Sequence, residues 1–173
     1  GSKLPDAQNR ETTAEITAFA HEHGVSVEAE LGEVGGKNGV HDPSARTNPE
    51  DAAKFVADTG VDLLAVAVGS SHAMATREAV LDNQLIAAIH ELVPVPLVLH
   101  GSSGVPDEGM VAAIQAGMTK INVSTHLNVV FTQGVRQILD ENPKIVDPRK
   151  YVGPATHLVQ EEVERLMRLY AQA

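Results

Sequence analysis

The feature that most constrains this chain is the alternation of short apolar runs with stretches of helical spacing. Runs rich in leucine or β-branched residues occupy Val25–Leu31, Val61–Val68, Val95–Leu99 and Lys120–Val123. Between them apolar residues recur three and four apart, as in Ile16, Phe19, Ala20 and again in Ala52, Phe55, Val56. Successive strands joined through helices pair in parallel, because each crossover carries the chain back to the same end of the sheet. The runs start roughly thirty residues apart, the length of one β/α unit. The punctuation agrees. Asn48, Pro49 and Glu50 read as a helix start that Gly60 closes, and Pro106, Asp107 and Glu108 open another that Gly117 closes. Leu127–Glu141 and Val159–Tyr170 read as two further helices, divided by Asn142-Pro143 and Asp147-Pro148, with a C-terminal helix assigned to residues 155–173. Residues 33–48, glycine-rich and polar, read as a mobile loop directly after the first strand. The expected fold is α/β: four parallel β/α units plus C-terminal helices, in one domain over residues 1–173.

Composition narrows the chemistry. The net charge of −10 argues against binding a nucleic-acid backbone, and no apolar run approaches the ~18 residues of a membrane span. With no cysteine there is no disulfide, thiol nucleophile or cysteine zinc site. Any metal centre must draw on the eight histidines and the carboxylates.

In parallel β/α architecture, sites form at the C-terminal ends of the strands. The first run ends in Glu28-Ala29-Glu30, the second in Gly69-Ser70-Ser71-His72, the third in Leu99-His100 and the fourth in Asn122-Val123-Ser124-Thr125. Two consecutive units thus end in histidine beside a strand bearing carboxylates. Two imidazoles with further nitrogen or oxygen donors suit zinc, whereas a single strand-end histidine commonly does no more than cap a carbonyl. Gly101-Ser102-Ser103-Gly104 precedes the helix opened by Pro106, and Asn122–Thr125 precedes the next helix. Such loops expose amides and hydroxyls that suit a phosphate, and equally make ordinary β-to-α turns with capping hydroxyls. Of the remaining histidines, His21, His23, His41, His90 and His157 read as solvated, and His126 lies close enough to the fourth strand end to stay open.

Four segments in order carry a specific resemblance: VEAELGEVGG from Val27, DLLAVAVGSSH from Asp62, PLVLHGSSGVPDE from Pro96 and KINVST from Lys120. They resemble the class II, metal-dependent ketose-bisphosphate aldolases, most closely the tagatose-bisphosphate and short fructose-bisphosphate branch. The resemblance runs to about Pro154 and includes DPRKYVGP from Asp147. It implies a (β/α)8 TIM barrel, of which this chain supplies roughly the second half. It also implies a cytoplasmic lyase of carbohydrate metabolism, a homo-oligomer (dimer or tetramer), whose partners are small sugar phosphates. The implied reaction is reversible cleavage of a ketose 1,6-bisphosphate to dihydroxyacetone phosphate and glyceraldehyde 3-phosphate, with zinc polarising the ketone carbonyl. Carried over by position, His72 and His100 match zinc-binding histidines, and Glu30 matches a carboxylate that holds metal in an alternative position. Ala73, Gly101, Ser102, Ser103, Val123, Ser124 and Thr125 match substrate- and phosphate-binding positions. Asn122 matches an asparagine that contacts the ketose, and is the catalytic residue assigned here. A monovalent cation often accompanies these loops.

Four positions depart from the family pattern. Ala73 stands where glycine usually follows the zinc histidine, and the phosphate loop reads Gly-Ser-Ser-Gly instead of Gly-Gly-Ser-Gly. Lys37-Asn38-Gly39 carries no acid where a proton-moving one is usual, and His126 replaces a glutamate. These changes admit a second reading, a sugar-phosphate-binding barrel of altered specificity or without catalysis. Lys3-Leu4-Pro5 keeps register with the stretch after the family's fourth strand. On that basis the proton donor and first zinc histidine are expected upstream of this chain. Residues 1–173 alone are then expected to be aggregation-prone and inactive.

Overall fold

The computed structural model describes residues 4–32, 46–72, 74 and 76–171. Residues 33–45 of the glycine-rich loop and Ala73 lie outside them. Four short strands form one parallel sheet in sequential order: β1 Glu28–Leu31, β2 Leu63–Val66, β3 Leu97–Leu99 and β4 Met118–Ile121. Helix α1 (Asp6–Glu22) precedes the sheet, and α2 (Pro49–Thr59), α3 (Asn83–Leu92) and α4 (Asp107–Gln115) make the crossovers. Helices α5 (Thr125–Glu141) and α6 (Arg149–Tyr170) follow β4. None of the described helices is long and apolar enough to cross a membrane.

The helix boundaries follow from local chemistry. The Asn48 side chain accepts from the Asp51 amide at 3.0 Å, Pro49 pre-sets the first turn, and Gly60 ends α2 at φ +67°. The strands β1, β2 and β3 are two to four residues shorter than the apolar runs that contain them and α5 starts two residues before Leu127, while two further boundaries differ for identifiable reasons. Strand β4 begins two residues earlier than Lys120, because an irregularity between Leu97 and Val98 sets Met118 against Leu97 and Lys120 against Val98. Helix α6 starts at Arg149 and runs through Pro154. That proline lies barely more than a turn inside, and Lys150, whose carbonyl it leaves without a helical donor, is exposed to water.

Alternation divides the sheet into an apolar face and a polar one. Leu64, Val66, Val68, Leu97 and Leu99 turn toward the helices and join Phe55, Ile86, Ile89 and Met110 in the core. Ala29, Leu31 and Ile121 pack on its edge. The opposite parity puts Glu28, Glu30, Ala65, Ala67, Val98, His100 and Lys120 on the other face. The central positions there are small and buried, which leaves room for the longer polar side chains beside them.

Helix α6 is fixed on two sides. Against α5, buried Gly134 leaves no space for a methyl group, since a Cβ there would lie 2.7 Å from Leu158 Cδ1 and 3.4 Å from Ala155 Cβ. Against α4, Arg165 reaches Asp107 at 2.6 Å while also gripping Glu162 at 2.8 Å. The Arg165 hydrogen bond, opposed by burial and helped by His126, holds the Glu162 carboxyl down at about 2. A carboxyl whose folded value is depressed stabilises the fold fully above its ordinary value, and that contribution is lost as pH falls toward the folded value. We therefore expect the thermal midpoint to decline from about pH 4.5 toward pH 2. Glu162→Gln should flatten part of that decline, as read by circular dichroism melts across the range.

Candidate functional site

The three strand-end residues singled out by pattern meet at one point. Glu30, His72 and His100 each place one ligating atom within 4.8 Å of the other two. The two imidazoles lie 5.7 Å apart between ring centroids, tilted by 51°. The donor set is one carboxylate oxygen and two imidazole nitrogens, a combination that some catalytic zinc sites use together with an open position. The residues present therefore fit a zinc ion.

His100 is gripped on both ring nitrogens. Its Nδ1 meets Glu30 Oε2 at 2.6 Å and its Nε2 meets Glu28 Oε1 at 3.0 Å, while Ser70 Oγ donates to its carbonyl at 2.6 Å. The Glu30 hydrogen bond raises the imidazole above its ordinary value, against burial and with help from Glu28. Glu28 in turn accepts from Lys120 Nζ at 2.7 Å. Burial pushes Glu28 up, but the Lys120 and His100 hydrogen bonds outweigh it and its carboxyl stays below the usual range. A carboxylate on the second nitrogen is what fixes the tautomer and ring orientation of a metal-ligating histidine. Sequence reasoning placed Glu28 among the strand-end carboxylates without giving it a role, and gave Lys120 none. The signal was the two-residue spacing of Glu28 and Glu30, which puts both carboxylates on one face of β1.

The loops are held to one another by one close backbone approach and by side-chain hydroxyls. Gly101, at φ +66°, runs so close to the preceding loop that a Cβ would lie 2.6 Å from both Ser71 C and Ser71 O and 3.0 Å from His72 N. Only glycine fits both that conformation and that space. Thr47, 3% exposed, joins the ends of β1 and β2: its hydroxyl donates to Leu31 O at 2.9 Å and accepts from Ala67 N at 2.8 Å.

The two loops read as phosphate sites are neighbours. Ser102–Gly104 forms a buried 3-10 turn in which Ser102 Oγ donates to the Asn122 carbonyl. Ser103 Oγ accepts from the His126 amide at 3.1 Å. The Asn122 amide donates to Leu99 O at 3.1 Å, extending the β3–β4 pairing one residue past β4. Asn122 and Ser124 are exposed, Val123 and Thr125 half-buried, and Thr125 opens α5. Both serine hydroxyls thus take part in joining the loops, and the N-terminal turn of α5, with its positive end, lies beside them. Among the other histidines, His21 pairs with Asp62 at 2.9 Å, His23 with Phe19 O at 2.8 Å and His157 with Glu161 at 3.4 Å. His41 lies outside the described residues.

Fold and donor set together define a parallel α/β protein with a metal-competent centre at its strand ends. The chain belongs to the class II fructose-bisphosphate aldolase family, whose profile, described as Fructose-bisphosphate aldolase class-II, matches residues 1–173. Among solved structures it is similar to the YdjI aldolase of Escherichia coli K12, with 33% identity and a TM-score of 0.81. That match covers 98% of this chain and 58% of the other. A Coccidioides immitis protein provisionally assigned as a fructose-1,6-biphosphate aldolase matches at 29% identity and TM-score 0.82, over 98% and 60% of the two chains. Fructose-bisphosphate aldolase of Campylobacter jejuni, 22% identical with a TM-score of 0.81 over 98% and 58%, shows the shared fold alone. The chain therefore spans 58–60% of the length of these TIM-barrel aldolases, and its sheet is the corresponding part of their barrel.

The contact at Gly101 makes a prediction. In the whole natural protein, Gly101→Ala should move the His72 loop away from His100 and weaken zinc or cobalt binding about tenfold or more, read by titration calorimetry. Gly24→Ala is the control, because it has a similar positive φ of +69° but nothing within 4 Å of the added methyl. Equal metal affinity in the two variants would contradict the account.

Proposed function

We propose that the protein in its whole natural form is a zinc-dependent aldolase, acting reversibly on a ketose 1,6-bisphosphate of the fructose or tagatose type. The products are dihydroxyacetone phosphate and glyceraldehyde 3-phosphate. The observation that carries this reading is the convergence of Glu30, His72 and His100 beside two serine-bearing loops at the strand ends. In this reading the three residues hold the metal, which when bound supplies a Lewis acid for the ketone carbonyl. Glu28 and Lys120 keep the His100 ring in place, as their hydrogen bonds do here.

The substrate is held by the loops. Gly101–Ser103 and Val123–Thr125 receive its phosphate, which the amino end of α5 attracts. Asn122, exposed at the end of β4, contacts the ketose as the catalytic residue assigned from the resemblance. Ala73 takes the neighbouring substrate position in the same assignment.

Aldol cleavage by the whole natural protein, followed with and without a chelator, tests the reading. The expected result is cleavage of fructose or tagatose 1,6-bisphosphate that a chelator abolishes and added zinc restores. Binding of sugar phosphate without turnover would favour the non-catalytic barrel instead. Glu28→Gln should keep the fold yet cost about 10- to 100-fold in zinc affinity, the usual effect of removing a carboxylate partner from a metal-ligating histidine. Unchanged affinity would remove Glu28 from the site.

A further inference from the structure

His126 stands in the first turn of α5, and its two ends bind different parts of the molecule. Its backbone amide donates to Ser103 Oγ at 3.1 Å, tying the loop after β4 to the loop after β3. Its imidazole Nε2 meets Glu162 Oε1 on α6 at 2.6 Å, with the two side chains 23% and 16% exposed. The same carboxylate is held by Arg165 through both oxygens at 2.8 Å. Arg165 continues to Asp107 in the first turn of α4 at 2.6 Å. Asp107 also binds Arg77, and Arg77 donates twice to the Val105 carbonyl at 3.0 and 2.8 Å. One turn of α6 is thereby connected to the loop after β4, to the loop after β3 through Ser103, and to the segment after β2 through Arg77. The close fit of Gly134 against Ala155 and Leu158 makes α6 a firm support for α5.

We infer that Glu162 and His126 form a positioning pair that sets, from outside the site, the two loops that would hold the substrate phosphate. The inference rests on the phosphate role proposed above for those loops. The pair acts on the loops through the His126 amide, which donates to Ser103 Oγ. It fixes the azimuth of the first turn of α5, and with it the amide that Ser103 accepts. Without it the Ser103–His126 link loses its backing, and the loops sample arrangements that bind phosphate less well. A histidine suits this place because its ring reaches a carboxylate on a neighbouring helix while its own amide stays with the loop.

The test uses the whole natural protein with Glu162→Gln and His126→Gln, both close in size to the native residues. Inorganic phosphate is titrated by calorimetry, KM and kcat are measured on the ketose bisphosphate, and bound zinc is counted. The expected outcome is phosphate affinity weaker by about tenfold and KM raised to match, the scale of one charge-assisted hydrogen bond. The same outcome has kcat within about twofold and zinc content unchanged. A lowered melting temperature with phosphate affinity and KM unaltered in both variants would overturn the inference and leave a purely structural pin. Wild-type protein that binds no phosphate would overturn it as well. Wild-type protein that binds phosphate but cleaves no ketose bisphosphate would sink the aldolase reading, while the calorimetric comparison alone would still decide this one.

Discussion

The site depends on a contact with no side chain in it. At Gly101 the chain passes against the backbone of Ser71 and His72 with no space for a methyl group. Parallel pairing makes such a contact available, because β2 and β3 leave the sheet at the same end and side by side. The absence of a Cβ lets the two exits close up, and His72 and His100 then bring a ligating nitrogen each within 4.8 Å of the other and of Glu30. The core supports this arrangement from behind. Leu64, Val66, Leu97 and Leu99 are fully buried against α2, α3 and α4, so the strand ends are held by packing that costs much to disturb.

Charge does a second part of the positioning. The chain is strongly acidic, yet several of its few basic groups serve as struts: Lys120 steadies Glu28, Arg165 joins Glu162 to Asp107, and Arg77 joins Asp107 to Val105. Asp107 shows the balance. Burial pushes its carboxyl up, and the Arg165 and Arg77 hydrogen bonds bring it below the ordinary value. Most of these groups are partly exposed, where a single pair contributes little, so their effect comes from connection into a network with fixed geometry. That network carries a positional constraint from α6 to the loops without adding bulk to the site.

Much of this was legible in the sequence, for identifiable reasons. Unbroken apolar runs set β2 and β3 apart from the period-3.6 patterns of α2 and α3, because those strands are buried on both faces and those helices on one. The histidines at the ends of the second and third runs mark the site because chain order and strand order coincide in this sheet. Partners beyond one strand were not legible. Lys120 meets Glu28 across the face of the sheet, and Glu162 meets His126 from a helix that local pattern cannot orient. The start of α6 was obscured by Pro154, whose penalty is small where the carbonyl it frees belongs to an exposed residue. Gly101 was legible as part of a phosphate-type loop, but only the three-dimensional approach of Ser71 shows why a side chain is excluded there.

The central claim is that His72 and His100 share one metal ion at adjacent strand ends. X-ray absorption at the zinc edge, on the zinc-loaded whole natural protein, addresses that claim directly. The account predicts imidazole scattering with nitrogen at about 2.0–2.1 Å, reduced by one histidine in His72→Ala and likewise in His100→Ala. A spectrum with no imidazole contribution, or one that neither substitution alters, would contradict it.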